Sequence, residues 1–302
     1  MVKKSKYMLS TLSSQQTSHH FAALSCIVAA ILWGLLWYPI RVLEGMGVPG
    51  LWSTLIIFCT AMLILFPGCF RARGELLEHK LDYILIGLFA GWTNLGFILA
   101  MLEGEVVRVL LLFYLSPIWS ILLAILILRE RITRLSFFAL ILAMTGAVLM
   151  LWDANLFFNK SISLADIYAI TSGMAFACTN IVIRKMGKTP VLLKMGASWL
   201  GVIAVTGCVI LLQHVPMPEL TFNSGTLALL MGFPFMFIMT WTAQYGVTNL
   251  PIQRSSVIFL LEVVAGAVSA ALLTSEIVSH FEYIGGVFII FAGLISVFKE
   301  KT

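Results

Sequence analysis

Apolar residues fall along this chain in long blocks separated by short polar stretches. Ten blocks are visible, at 21–43, 50–70, 82–102, 106–128, 135–152, 165–184, 191–213, 225–247, 252–274 and 281–298. Each is near the ~20 residues that an α-helix needs to cross the hydrocarbon core of a bilayer. Backbone groups in lipid must be satisfied internally, and the ~10-residue alternating strands of a barrel are absent, so the blocks predict helices. The expected fold is all-α and integral to the membrane, with ten transmembrane helices, numbered 1 to 10 in chain order. Residues 1–20 read as a polar cytoplasmic tail, with Lys3, Lys4 and Lys6 ahead of a Ser/Thr/Gln run and His19-His20. A signal peptide has a shorter apolar core and a small-residue cleavage site. The first block here is full length and runs on through Trp33 and Trp37, which predicts an uncleaved first helix.

The basic residues give this pattern a direction. With the N-terminus in the cytoplasm, sixteen of the 19 Lys and Arg fall on the cytoplasmic side, among them Arg71, Arg73, Arg129, Arg131, Arg184, Lys188 and Lys194. Arg41, Arg108 and Lys160 fall on the other side. Such an excess marks the cytoplasmic loops, so both termini are expected inside and the number of spans is expected to be even.

An internal repeat accompanies the alternation. Arg108–Glu130 aligns with Arg254–Glu276 at an offset of 146 residues, with Phe113 on Phe259 and a glutamate at each end. Three residues after each glutamate stands a residue able to cap the next helix, Thr133 or Ser279. Ser279-His-Phe-Glu282 has the form of a capping box. Arg41 and Arg184 match at the ends of helices 1 and 6. Two five-helix halves, 21–152 and 165–298, must then enter the membrane from opposite sides, because five is odd. Inverted repeats of this kind occur in secondary transporters that bind substrate near the midplane.

Composition narrows the function. The chain is 60% apolar and 11% charged, with a mean hydropathy of +1.01, against roughly 25% charged in soluble domains. The formal charge of +5 is scattered over short loops, without the clustered basic face of a nucleic-acid binder. Cys26, Cys59, Cys69, Cys178 and Cys208 lie in apolar runs without metal-ligand spacing, as small core residues do. The five His are terminal or in loops, no Walker motif is present, and no cofactor or metal is expected. A channel-like or non-transporting membrane protein, and a membrane enzyme, are the alternatives to a carrier.

Leu115-Ser116-Pro117-Ile118-Trp119, then Leu128-Arg129-Glu130-Arg131-Ile132-Thr133 and the Gly146 helix, resemble the helix 4–5 signature of the EamA family, within the drug/metabolite transporter superfamily. Leu260-Leu261-Glu262, Thr274-Ser275-Glu276 and the Gly285…Gly293 helix repeat it. Val263 occupies the family's proline position, which removes the sequence reason for a helix break there. The resemblance spans 21–298. It implies a drug/metabolite transporter fold in the bacterial inner membrane and an exporter of amino acids, their relatives or other small metabolites. It also implies a central cavity lined by helices 1, 3, 4, 6, 8 and 9.

Polar residues in mid-helix are costly in lipid and face a cavity or another helix. Glu262, near the centre of helix 9, is the candidate coupling group; packing against a neighbouring helix is the other reading. Trp33, Asn94, Tyr114, Ser116, Trp119, Asn180, Gln244 and Phe259 are the candidate substrate-binding residues, since small-ligand sites join apolar walls to a few polar anchors. Trp37, Trp241 and Tyr245 suit the interfacial belt equally well. Pro117 removes a backbone hydrogen bond inside helix 4 and is a hinge or a fixed kink; Pro39 and Pro234 invite the same reading. Arg41, Arg108, Glu103 and Glu105 form an outer charged group, a gate or solvated loop charge. Glu130 and Glu276 oppose the dipoles of the helices they end and call for a compensating partner. Gly87, Gly91, Gly173, Gly285 and Gly293 mark close helix contacts. The expected partners are a small-molecule substrate and the lipid bilayer, with no nucleic acid, and a homodimer is left open.

The 16-to-3 split of basic residues yields a test. Single cysteines at Lys160 and His280 should react with an impermeant thiol reagent in intact cells, and cysteines at Arg73 and Lys188 only after lysis. Labelling of the second pair before lysis rules out the inverted arrangement.

Overall fold

The computed structural model describes residues 2–152, 162–187, 189–274 and 278–298. Lys160, Lys188 and Glu276 lie outside the described residues. Within the described residues, nine helices are long and apolar enough to cross a membrane. They are helices 1 (His19–Gly45), 2 (Gly50–Arg71), 3 (Lys80–Glu103), 4 (Val106–Leu128), 6 (Leu164–Lys185), 7 (Val191–Leu212), 8 (Phe222–Asn249), 9 (Ile252–Leu273) and 10 (His280–Val297). Helix 5 is the shorter apolar helix Arg134–Met150. Ten full-length spans were expected, and helix 5 is the one that falls short. It starts after Thr133, whose hydroxyl accepts from the Ser136 amide, and ends at Met150, giving way to a turn at Leu151 before the apolar block ends. At ~1.5 Å per residue its 17 residues reach about 25 Å, the short end of what crosses a bilayer. The capping box read at Ser279 and Glu282 is present at the start of helix 10.

Leu63, Leu126, Leu211 and Leu272 point outward, exposed to whatever surrounds the protein. The interior is built largely from small residues, as it must be where lipid is as apolar as leucine and packing alone draws helices together. Helix 5 runs along helix 10, helix 3 along helices 6 and 7, and helix 8 along helices 1 and 2. Helix 4 packs on helix 6, helix 9 on helix 1, and helix 2 on helix 7. Exchanging each helix with the one five places away turns this set of pairs into itself. Other pairs depart from this exchange, among them helix 8 with helices 6 and 7. Helices 9 and 10 pack together, whereas an apolar groove of about 180 Å³ lies between helices 4 and 5, with Leu111, Leu115, Met144 and Ala147 in its walls.

Glycines set the closest approaches. A β-carbon on Gly146 of helix 5 would stand 2.6 Å from the Gly285 carbonyl oxygen of helix 10, and one on Gly285 would collide with the Gly146 carbonyl. Gly201 of helix 7 meets the Gly87 backbone of helix 3 in the same way. These are the contacts that the small residues predicted.

Gly285→Val should therefore cost about 1–3 kcal/mol through overpacking. It should lower the melting temperature in detergent, whereas Gly225→Ala, with open space around it, should not. Equal melting temperatures for the two variants would mean that helices 5 and 10 do not meet at this glycine pair.

Candidate functional site

Helix 4 is not continuous. It runs from Val106 to Phe113, turns through Tyr114 and Leu115, and resumes at Ser116. Pro117 has no N–H for the Phe113 carbonyl, and the chain tightens instead, with Leu115 N–H donating to Leu112 O at 3.4 Å and Ile118 N–H to Leu115 O at 2.9 Å. The carbonyl freed in this way is covered. A β-carbon on Gly173 of helix 6 would lie 2.6 Å from Phe113 O, so only glycine lets the helices approach so closely there.

Helix 9 breaks at the matching place without a proline. Its segments Ile252–Phe259 and Leu261–Leu273 meet at Leu260, with Leu260 N–H donating to Val257 O at 3.2 Å and Val263 N–H to Leu260 O at 3.1 Å. The expectation that Val263 leaves helix 9 without a break is corrected. Tertiary contact accompanies the break in place of proline: Gly34 of helix 1 fits against the Glu262 carbonyl, where a β-carbon would be 2.6 Å away. Helix 1 is also interrupted, at Leu36, where the Leu36 amide bonds Trp33 O at 3.2 Å.

The two breaks meet face to face. The Tyr114 hydroxyl of helix 4 lies close to the Glu262 carboxyl of helix 9, near enough for the two to interact. Tyr114 is buried and Glu262 half-buried, in the first turn of its segment, where a negative charge suits the helix dipole. Aromatic rings connect this point to its surroundings. Phe113 lies 4.9 Å from Phe97 of helix 3 and 6.0 Å from Phe176 of helix 6, and Phe176 lies 6.1 Å from Phe259, ring centre to ring centre. Tyr114, Phe259 and Glu262 are thus brought together by helices 4, 6 and 9. Ser116 is buried beside the helix 4 break. Trp119 is half-buried, its indole N–H without an acceptor, as is the hydroxyl of the neighbouring Ser120. Trp33 is half-buried at the helix 1 break, Asn94 half-buried on helix 3, and Asn180 buried on helix 6. Gln244 is engaged elsewhere: its amide donates to Ser198 of helix 7 at 2.9 Å, an interhelical bond. Trp37 donates to Ser269 of helix 9 at 2.9 Å. Ser269 lines a second apolar groove, of about 470 Å³, whose walls include Ile31 and Ala265.

Charged groups at the helix ends are more organised than the sequence suggested. Arg108 holds Asp166, at the start of helix 6, by two bonds of 2.7 Å. Ser163 and Asp166 also form a capping box, a pattern legible in the sequence. The partner that Glu130 called for is the start of helix 9, together with Arg184: Glu130 accepts from the Ile252 amide at 2.9 Å and from Arg184 Nε at 3.0 Å. Lys194, counted among the loop charges, is wholly buried, its ammonium donating to Ile183 O at 3.2 Å and to Thr248 Oγ1 at 3.0 Å. The signal was its place inside an apolar block, where a lysine must find acceptors. No group of three or more metal-ligating side chains occurs among the described residues.

The chain is a multi-pass membrane protein, and its likeness to known proteins supports a transporter with a drug/metabolite transporter fold. Residues 20–152 match the EamA-like transporter family, as the resemblance of helices 4 and 5 implied. The chain is 24% identical over 278 residues to an uncharacterized transporter of Archaeoglobus fulgidus, covering 91% of this chain and 95% of that one. It is 26% identical over 139 residues to an uncharacterized transporter of Pseudomonas aeruginosa, covering 42% of this chain and 45% of that one. A protein of known crystal structure shares the fold, with a TM-score of 0.73 at 18% identity over 91% of this chain and 95% of that one.

The link between the two breaks can be measured. A double-mutant cycle of Tyr114→Phe and Glu262→Gln should give a coupling of about 1–3 kcal/mol, the range for a hydrogen bond to a charged group. Additive losses in thermal stability would mean that the hydroxyl and carboxyl do not depend on each other.

Proposed function

We propose that the protein is a secondary carrier that moves a small metabolite, an amino acid or a related compound, out across the bacterial inner membrane. Its two five-helix halves lie inverted with both termini in the cytoplasm, and they expose a shared central site alternately to the two faces. The observation that carries this reading is the meeting of two interrupted helices, one from each half, at Tyr114 and Glu262. A continuous helix has no free backbone group and bends little; an interrupted one can do both, which suits a site that must open in two directions. Trp33, Asn94, Ser116, Trp119, Asn180 and Phe259 are the groups assigned to substrate contact, with Gln244 holding helix 8 to helix 7. Pro117 is the hinge of helix 4.

Glu262 is assigned to proton coupling. An ionised carboxylate in this setting is expensive unless paired, and the Tyr114 hydroxyl is a single neutral donor. The position equivalent to Glu262 in the first half is Ser116, so the fold does not require an acid there. Proton uptake from one face neutralises the group and permits the occluded state. Release at the other face restores the charge.

Glu262→Gln keeps the shape and cannot titrate. In proteoliposomes the variant should bind substrate and support counterflow exchange, yet lose the acceleration of transport by a pH gradient. Full retention of that acceleration would make Glu262 a packing residue held by Tyr114.

A further inference from the structure

Helices 4 and 6 are tied to each other near both ends, by two ion pairs of different character. Arg108 and Asp166, at the starts of the two helices, hold each other with both carboxylate oxygens at 2.7 Å, their side chains only 13% and 5% exposed. Asp166 is fixed further by its capping box with Ser163. At the far ends, Glu130 and Arg184 share a single bond of 3.0 Å, with side chains 19% and 26% exposed. The break in helix 4 at Tyr114 and Leu115 lies between the two pairs.

The groups around Glu130 and Arg184 sort into two sets. Arg184 also donates to Thr248 O of helix 8 at 2.6 Å, and Lys194 of helix 7 donates to Ile183 O and to Thr248 Oγ1. Helices 6, 7 and 8 are thereby bound into one body, their two cations placed against the carbonyl-rich ends of helices 6 and 8, where positive charge is favoured. Glu130 accepts from the Ile252 amide, and Gln253 donates to Arg131 O at 3.1 Å. The end of helix 4 is thereby bound to the first segment of helix 9. That segment, Ile252–Phe259, is buried at every position and ends at its own break at Leu260. Both bound segments, Ser116–Leu128 and Ile252–Phe259, are therefore bounded by a break at the end away from Glu130.

We propose that the Glu130–Arg184 pair is a releasable latch that holds this end of the carrier shut, and that Arg108–Asp166 is the fixed tie at the opposite end, while the latched segments swing at their breaks. The proposal rests on the alternating-access reading above. Releasing the latch breaks one charge-assisted bond. The Arg184–Thr248 bond, the Lys194 bonds and the Glu130–Ile252 bond all survive inside the two bodies. Partial exposure suits the role: water can replace each partner when the pair opens, as at a surface pair, whereas a fully buried pair would leave a stranded charge. The tie, nearly dry and bidentate, has the geometry of a bond that persists.

Spin labels on Arg131→Cys and Gly187→Cys, in the full-length chain with its native cysteines replaced, report the latched end. Labels on Leu102→Cys and Ile162→Cys report the tied end. In lipid nanodiscs, Arg184→Gln should raise the population with a longer Arg131–Gly187 distance about tenfold and leave the Leu102–Ile162 distance unchanged. Glu130→Gln should do the same, and Glu130→Arg combined with Arg184→Glu should shorten the distance again. Parent-like distances in both single variants, or separation at both ends together, would overturn the latch. Saturable flux in proteoliposomes is measured separately on the parent. Its absence removes the carrier reading, while the distances still decide whether the pair holds this end closed.

Discussion

In a bilayer every backbone amide and carbonyl must find its partner inside the protein, because no water is available to take its place. That constraint permits helices and little else, and it makes an interrupted helix conspicuous. Helices 4 and 9 are both interrupted, and in both the chain recovers part of the lost bonding through tighter bonds to the residue three places away. The carbonyl freed in helix 4 is covered: Phe113 O lies against Gly173. Just past the helix 9 break, the Glu262 carbonyl lies against Gly34. At each interruption a glycine from the other half lets a backbone come close.

The near-exchange of helix pairs between the halves shows one pattern of helix packing used twice along 302 residues. The departures from exchange carry the chemistry. Glu262 has Ser116 as its counterpart, so one half supplies an acid and the other a hydroxyl. Arg108 pairs with Asp166, whereas Arg254, its counterpart, meets His19 at 3.1 Å and Phe298 O at 3.1 Å. Helix 10 closes on helix 9, while helix 5 leaves a groove beside helix 4.

Charge at the membrane faces does two jobs. The scattered lysines and arginines of the loops fit the positive-inside pattern and are expected to orient the chain. Arg184 and Lys194 do something else: they neutralise the ends of helices 6 and 8 from within, where four unsatisfied carbonyls per helix would otherwise lack donors. Glu130 serves as counter-ion to one of them and as cap for the start of helix 9. A loop charge and a buried cap are the same residue type, and only their surroundings separate them.

The sequence by itself determined the class of fold. Blocks of ~20 apolar residues admit one solution in lipid, and the repeat of Arg…Glu with Thr133 and Ser279 fixed where helices 5 and 10 begin, because capping is a local interaction between residues three apart. Glu262 was legible for the same reason, as a carboxylate surrounded by apolar neighbours in its own segment. Tyr114 as its partner was not legible, since they lie on different helices and no local rule relates them. Nor was the break at Leu260, for which the sequence offered valine rather than proline and which accompanies contact with Gly34. Lys194 read as a loop charge because its partners, Ile183 and Thr248, belong to helices 6 and 8. What remained for the tertiary structure to decide was every pairing across helices, since hydropathy reports the solvent a helix needs and says nothing of which neighbour it will touch.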